Sequence, residues 1–300
     1  MQNIEVIELF LATLEWHMNN PADKKALDCK SVVYNDSRNE YNRHELDVPF
    51  VPTPLSVVNK MLSMASVGPS DTVYDLGCGD GRIVIVAAKK FGAAASGFDL
   101  DSEKLQESTI NAQRADISHK VSFFNKNIFD VSFSDATVVT LYLLTNINVR
   151  LRSKLFLELH PDSRVVSHDF QMDTWPYDKS QTLENHKIYL WIMPANFSGI
   201  WNWEMPVGFG YSHCSLQIQQ RYQKASAHFL APSDNIVYSL AIKGALIEIY
   251  FCSYKNNHEK FFHLRGSLEN NTITGIITNT GHPAMPLNAT RDISTIHSLL

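Results

Sequence analysis

Between residues 48 and 195, short apolar runs alternate with stretches of helical period. Val57, Val58, Met61, Leu62 and Met64 recur at helical spacing behind Thr53 and Pro54. This predicts a helix opened by Pro54 and capped by Thr53. Further helices are predicted at 82–91, 102–115 and 148–159, and strands at 72–76, 94–98, 121–125, 136–143, 164–168 and 188–193. Such alternation predicts an α/β fold, a mostly parallel sheet with helices on both faces and right-handed crossovers.

The texture changes after Ala195. Leu216, Ile218, Gln220 and Tyr222 alternate with polar neighbours, and 237–242, 246–251, 261–264 and 272–277 do the same between polar turn clusters. Period-two runs of this kind predict an antiparallel β appendage over roughly residues 197–291, while the last residues carry no pattern. At the other end, Ile4, Ile7, Phe10, Leu11, Leu14 and Met18 predict an amphipathic helix, followed by a polar linker. The expected organisation is an N-terminal helix and linker at 1–46, a ligand-binding α/β domain at 47–195 and a small β-rich domain at 196–300.

Hydrophobic residues at 44% and charged residues at 19% belong to a globular chain. The net charge of −5 provides no basic field, so no nucleic-acid partner is expected. Cys29, Cys78, Cys214 and Cys252 form no CxxC pair, so no metal is expected and the cysteines read as free thiols. Glu5 and Glu8 at the head of the chain speak against a signal peptide, and no apolar run is long enough to span a membrane. A cytoplasmic protein is expected.

The strongest chemical signal is Val73-Tyr74-Asp75-Leu76-Gly77-Cys78-Gly79-Asp80-Gly81-Arg82, in which a strand enters three alternate glycines before a helix. Gly77, Cys78 and Gly79 let the backbone turn sharply and approach a ligand. Arg82 occupies the place of the third glycine in the dinucleotide fingerprint, which disfavours a nicotinamide or flavin enzyme. Asp75 would repel a pyrophosphate but suits a ligand bearing an ammonium and a sulfonium, which points to S-adenosyl-L-methionine; turn capping is its structural alternative. Asp99 ends the next strand about 20 residues past the loop, where an acid meets ribose hydroxyls. Asp101 is the lesser candidate and reads as a helix cap. Asn127 and Ile128 follow the third strand, where they would bind and cover an adenine; a turn residue is the alternative for Asn127.

The segment Asp47-Val48-Pro49-Phe50-Val51-Pro52-Thr53-Pro54, joined to Asp75-Leu76-Gly77-Cys78-Gly79-Asp80-Gly81-Arg82-Ile83-Val84, resembles one branch of the class I S-adenosyl-L-methionine-dependent methyltransferases. That branch holds archaeal protein-lysine methyltransferases, mitochondrial ones acting on the ATP synthase c subunit, and bacterial relatives. The resemblance covers roughly residues 47–195. It implies a Rossmann-like seven-stranded sheet, a segment around Thr53 over the donor's methionine end, and a protein lysine as methyl acceptor. Phe50 stands where the branch usually has Tyr, and Asn127 where it usually has Asp.

Methyl transfer needs alignment and exclusion of water, and an amine acceptor must first lose a proton. The acceptor pocket of an open α/β sheet lies at the carboxyl ends of its strands. Tyr142 and Thr145 after the fourth strand, and His168, Asp169 and Trp175 after the fifth, are the candidates there; the alternatives are a core aromatic for Tyr142, an inward-facing strand residue for His168 and a residue that only closes the core for Trp175. Tyr142, to orient an amine, and Asp169, to attract a lysine ammonium, are the expected catalytic pair. Residues 141–144 lack the Asn/Asp-Pro-Pro-aromatic signature of base-amine and glutamine methyltransferases. The expected function is a protein-lysine methyltransferase. The alternatives are a small-molecule or lipid methyltransferase and a non-catalytic module that binds S-adenosyl-L-methionine.

Overall fold

The computed structural model describes residues 50–207, 210–255, 258–279 and 282–300, so the expected N-terminal helix and linker lie outside the described residues. The chain divides into two compact units, Met1–Pro52 and Thr53–Leu300. Both sheets belong to the second.

Helix α1 (Leu55–Met64) buries the five apolar residues that predict it, Val57, Val58, Met61, Leu62 and Met64. Its N-cap is Pro54, and no side chain caps it. The expected Thr53 cap is therefore corrected: the Thr53 hydroxyl turns to His168 instead. Strand β1 (Thr72–Leu76) leads through the glycine loop to α2 (Arg82–Phe91), which begins and ends on left-handed glycines, Gly81 and Gly92. Lys89 and Lys90 in its last turn suit the negative end of the helix dipole. Next come β2 (Ala94–Asp99), α3 (Ser102–Arg114), β3 (Val121–Asn125), β4 (Val138–Leu141), α4 (Thr145–Glu158), β5 (Arg164–His168), β6 (Lys179–Leu183) and β7 (His186–Ile192).

These strands form one seven-stranded sheet in the order β3-β2-β1-β4-β5-β7-β6. Strands β1 to β5 run parallel, β7 is antiparallel to β5, and β6 is antiparallel to β7. The order reverses between β1 and β4, which makes their carboxyl ends the place where such sheets bind ligands. The expected α/β class and seven-stranded sheet are found. β6 escapes the hydrophobic pattern because it is a polar edge strand with four of its five residues exposed. The core between α1, α2 and the sheet includes Val73, Val84, Ala87, Val138, Val166 and Ile188.

The C-terminal third forms an eight-stranded antiparallel sheet: β8 (Gly199–Val207), β9 (Gly210–Arg221), β10 (Lys224–Ala231), β11 (Asn235–Lys243), β12 (Leu246–Lys255), β13 (His258–Glu269), β14 (Thr272–Asn279) and β15 (Met285–Asp292). Neighbours in the sheet are neighbours in the chain, except that β15 returns to pair with β8. β10 and β11 lie side by side without a hydrogen-bonded ladder, so the meander rolls up like a barrel. Trp201, Trp203, Leu216, Ile218, Ile249, Phe251, Leu264 and Leu287 fill it. Gln220 is buried in a strand because its amide is spent on the main chain of Phe197, Ala195 and Tyr222. β15 closes the appendage expected over 197–291; beyond it lies only a short 3-10 turn, Ile293–Thr295, before residues without regular structure.

One end of this second sheet seats on the first. Trp175 Nε1 donates to Gln223 Oε1 at 3.0 Å, the Thr174 and Tyr222 hydroxyls lie 3.0 Å apart, and Ala195 N donates to Gly244 O at 2.7 Å. The Tyr222 ring packs against Phe156 and Trp175.

Candidate active site

The loop after β1 is shaped by its glycines. Gly77, Gly79 and Gly81 have φ of 80°, 52° and 77°, a region that side-chain-bearing residues avoid. A Cβ on Gly81 would come within 2.8 Å of Ser108 and Phe123, so that glycine is also required by the close approach of α3 and β3. Gly77 N and Cys78 N both donate to Phe98 O, at 2.8 and 3.1 Å, and fasten the loop to β2. Cys78 is buried, and burial pushes its thiol up, so the side chain is a core group.

Asp75 is 2% exposed and accepts from the Thr140 hydroxyl at 2.6 Å. Burial pushes its carboxyl up to about 7; the Thr140 bond opposes the shift, and the charges of Asp99 and Asp80 add to it. The loop thus concentrates negative charge where a cationic ligand would relieve it. Asp99 is half-buried and accepts from Gly79 N at 2.8 Å and Asp101 N at 3.0 Å. A carboxylate has about four acceptor positions, so the two amides orient Asp99 and leave room for ligand hydroxyls. Asp101 caps α3 through Glu103 N and Lys104 N, as its alternative reading has it. Asn127 is exposed, and its Oδ1 accepts from Phe129 N at 3.0 Å, capping the 3-10 turn Ile128–Asp130. Half-buried Ile128 opens that turn.

Arg82, read from the sequence only as a missing glycine, ties the loop to α1. Its guanidinium pairs with Asp80 at 2.6 Å and donates to Thr53 O at 2.9 Å. Thr53 is buried, and its hydroxyl lies 3.2 Å from His168 Nδ1. A chain of contacts therefore runs from the glycine loop through Thr53 to the end of β5.

At that end His168, Asp169 and His186 meet. His168 Nε2 is 2.8 Å from His186 Nδ1, and Asp169 Oδ2 is 3.1 and 3.2 Å from those nitrogens. Asp169 Oδ1 accepts from Lys187 N at 2.7 Å. Burial alone would raise the Asp169 carboxyl, but the bonds from His168 and His186 hold it well below the usual carboxylate range. Asp169 adopts a left-handed backbone, with φ of 59°. Tyr142 stacks on His168 with ring centroids 3.9 Å apart, and burial pushes its phenol up.

Among the expected acceptor-side residues, Tyr142, His168 and Asp169 are brought together. Trp175 is not: its indole is 1% exposed and belongs to the core against Trp191, Phe156 and Tyr222. Thr145 is the first residue of α4. Sequence reading missed His186 and Thr140, which no motif marks. Arg82 and Asp80 were within reach, since both sit in the quoted motif.

The loop and acids fit S-adenosyl-L-methionine: positive-φ glycines at the strand end, an acid pre-oriented by amides, and a negative potential suited to a sulfonium and an ammonium. Residues 75–179 match the ANTKMT methyltransferase domain family. A protein-lysine N-methyltransferase from Saccharolobus islandicus is 44% identical over 151 residues, 49% of this chain and 94% of that protein. The adenine nucleotide translocase lysine N-methyltransferase of Mus musculus is 35% identical over 43% of this chain and 56% of its own length. A solved RNA methyltransferase from Salinibacter ruber, in complex with S-adenosyl-L-homocysteine, is 45% identical over 47% of this chain and 93% of that chain, with a TM-score of 0.47. With nearly the whole archaeal protein matched, the chain belongs to this family of S-adenosyl-L-methionine-dependent methyltransferases, which carries the ANTKMT methyltransferase domain.

Proposed function

We propose that the chain transfers a methyl group from S-adenosyl-L-methionine to the side-chain amine of a lysine in a protein. The observation that carries this reading is the 44% identity over 94% of the archaeal protein-lysine N-methyltransferase. About half of this chain has no counterpart there, so the acceptor protein is a choice in which residues 196–300 take part on this reading.

The bound donor supplies a methyl group already activated by its sulfonium. In this reading Asp99 holds the ribose hydroxyls, Asn127 and Ile128 flank the adenine, and Thr53, Asp75, Gly77, Cys78 and Gly79 surround the methionine end. Cys78 contributes through the loop backbone, since its thiol is turned inward. Free lysine, with a pKa of about 10.4, is an ammonium at neutral pH and must lose a proton to attack. Ionised Asp169 draws the ammonium to the end of β5. The rings of Tyr142, His168 and Phe170, packed on one another, then disfavour its charged form by desolvation. A cytoplasmic site of action belongs to the same reading, supported by the buried free thiols Cys78, Cys214 and Cys252. Among the described residues no helix is long and apolar enough to cross a membrane.

The test is incubation of a cell extract with the purified full chain and methyl-labelled donor, followed by mass spectrometry. N-methyl-lysine in protein is expected. Label confined to lipid or small molecules would end the lysine reading and leave the methyltransferase standing.

A further inference from the structure

The three facing atoms of His168, Asp169 and His186 make a closed triangle, with edges of 2.8, 3.1 and 3.2 Å. A triangle has three contacts to satisfy. The carboxylate brings no proton, and each imidazole nitrogen brings at most one, so two protons must serve three edges. A single cation at the centre serves all three at once. Tetrahedral bonds of about 2.0–2.1 Å separate neighbouring ligand atoms by roughly 3.3 Å, a few tenths more than the edges found. We propose that His168 Nε2, His186 Nδ1 and Asp169 Oδ2 form a binding site for a divalent transition-metal ion of the zinc class.

Three further features suit this role. Both imidazoles are buried, His168 completely, and the Asp169 side chain is 21% exposed, so the cluster lies at the edge of the core. The other nitrogen of His168 faces the Thr53 hydroxyl at 3.2 Å, the kind of outer contact that fixes the tautomer of a metal-ligating histidine. The second oxygen of Asp169 is held by Lys187 N at 2.7 Å, and stacking on Tyr142 fixes the His168 ring. The ligands come from the end of β5 and the start of β7, so an ion there joins two antiparallel neighbours at the carboxyl edge of the parallel strands. The site does not rest on the lysine reading, because it concerns what these side chains hold.

The experiment is titration of the chelator-stripped full-length protein with Zn2+ by calorimetry, and with Co2+ by visible absorption. One equivalent per chain is expected, with cobalt bands of nitrogen and oxygen ligation. His186→Gln should weaken binding at least tenfold, and Thr53→Val by roughly tenfold through loss of the outer contact. A cooperative thermal melt by circular dichroism certifies that each variant is folded. If His186→Gln fails that control, Asp169→Asn, which keeps the side-chain size, takes its place. Absence of saturable binding, equal affinity in wild type and ligand variant, or a thiolate-to-cobalt band would overturn the proposal.

Discussion

The hydroxyl of Thr53 lies 3.2 Å from Nδ1 of His168, across 115 positions of sequence, while the carbonyl of the same Thr53 accepts from Arg82 at 2.9 Å. A single residue, two positions ahead of α1, thus touches the end of the donor loop with its main chain and the end of β5 with its side chain. The two contacts can be separated. Thr53→Val removes only the hydroxyl contact and should cost about 1 kcal/mol of stability, with donor affinity nearly unchanged. Arg82→Lys keeps the charge but loses the planar fork that serves Asp80 and Thr53 together, and should weaken donor binding several-fold. Calorimetric titration with S-adenosyl-L-methionine compares the two. Loss of binding in Thr53→Val would show that the hydroxyl meets the donor itself.

Asp75 predicts a conflict between stability and binding. Its carboxyl, pushed up to about 7 by burial, keeps a proton in the folded state that the unfolded chain releases near its ordinary value of 3.8. The donor-free protein should therefore lose stability from this group as pH rises from about 4 to about 7. Asp75→Asn does not titrate. It should melt higher than wild type above pH 7, by at most about 4 kcal/mol, with no such advantage below pH 4. The same variant should bind the donor more weakly, because the cation loses its counter-charge. Parallel melting of both proteins at about pH 5 and about pH 8 would show that Asp75 ionises normally.

Asp99 and Asp101 stand two residues apart with different duties. Asp99→Ala removes an acceptor oriented by Gly79 N and Asp101 N, and donor affinity should fall roughly tenfold to a hundredfold, the value of charge-assisted bonds of about 1.5–3 kcal/mol. Asp101→Ala removes the cap of α3 and should instead cost about 1 kcal/mol of stability, with little change in donor affinity. Equal losses of affinity would mean that both acids reach the donor.

The seat of the second sheet on the first should resist removal. Tyr222 is 3% exposed and touches Thr174, Phe156 and Trp175. Tyr222→Ala should cost about 3–5 kcal/mol, in the range of buried aromatic truncations. A chain ended after Ala195 lays Trp175 open and should lose thermal stability far beyond that variant. Circular dichroism melts with and without S-adenosyl-L-homocysteine measure both. A truncated form that melts like wild type and binds normally would show that the second sheet serves acceptor choice alone.

Period and punctuation carried the elements of this protein. Helix α2 was legible to the residue because an apolar stripe lies between glycines that both take a left-handed turn, and Asp101 read as a cap because capping is local. The donor loop was legible for the same reason: its glycines and acids act within a few positions of one another. Hydrophobic period records which face of an element is buried, not what it is buried against. Only the tertiary structure set Thr140 on Asp75, 65 positions away, and turned Thr53 from a helix cap into a partner of His168. It alone brought His186 from a separate strand to His168 and Asp169, and it decided for Trp175 between the acceptor side and the core. Polar β6 left no hydrophobic trace because it is an exposed edge held by main-chain bonds to β7, and such bonds are available to any sequence.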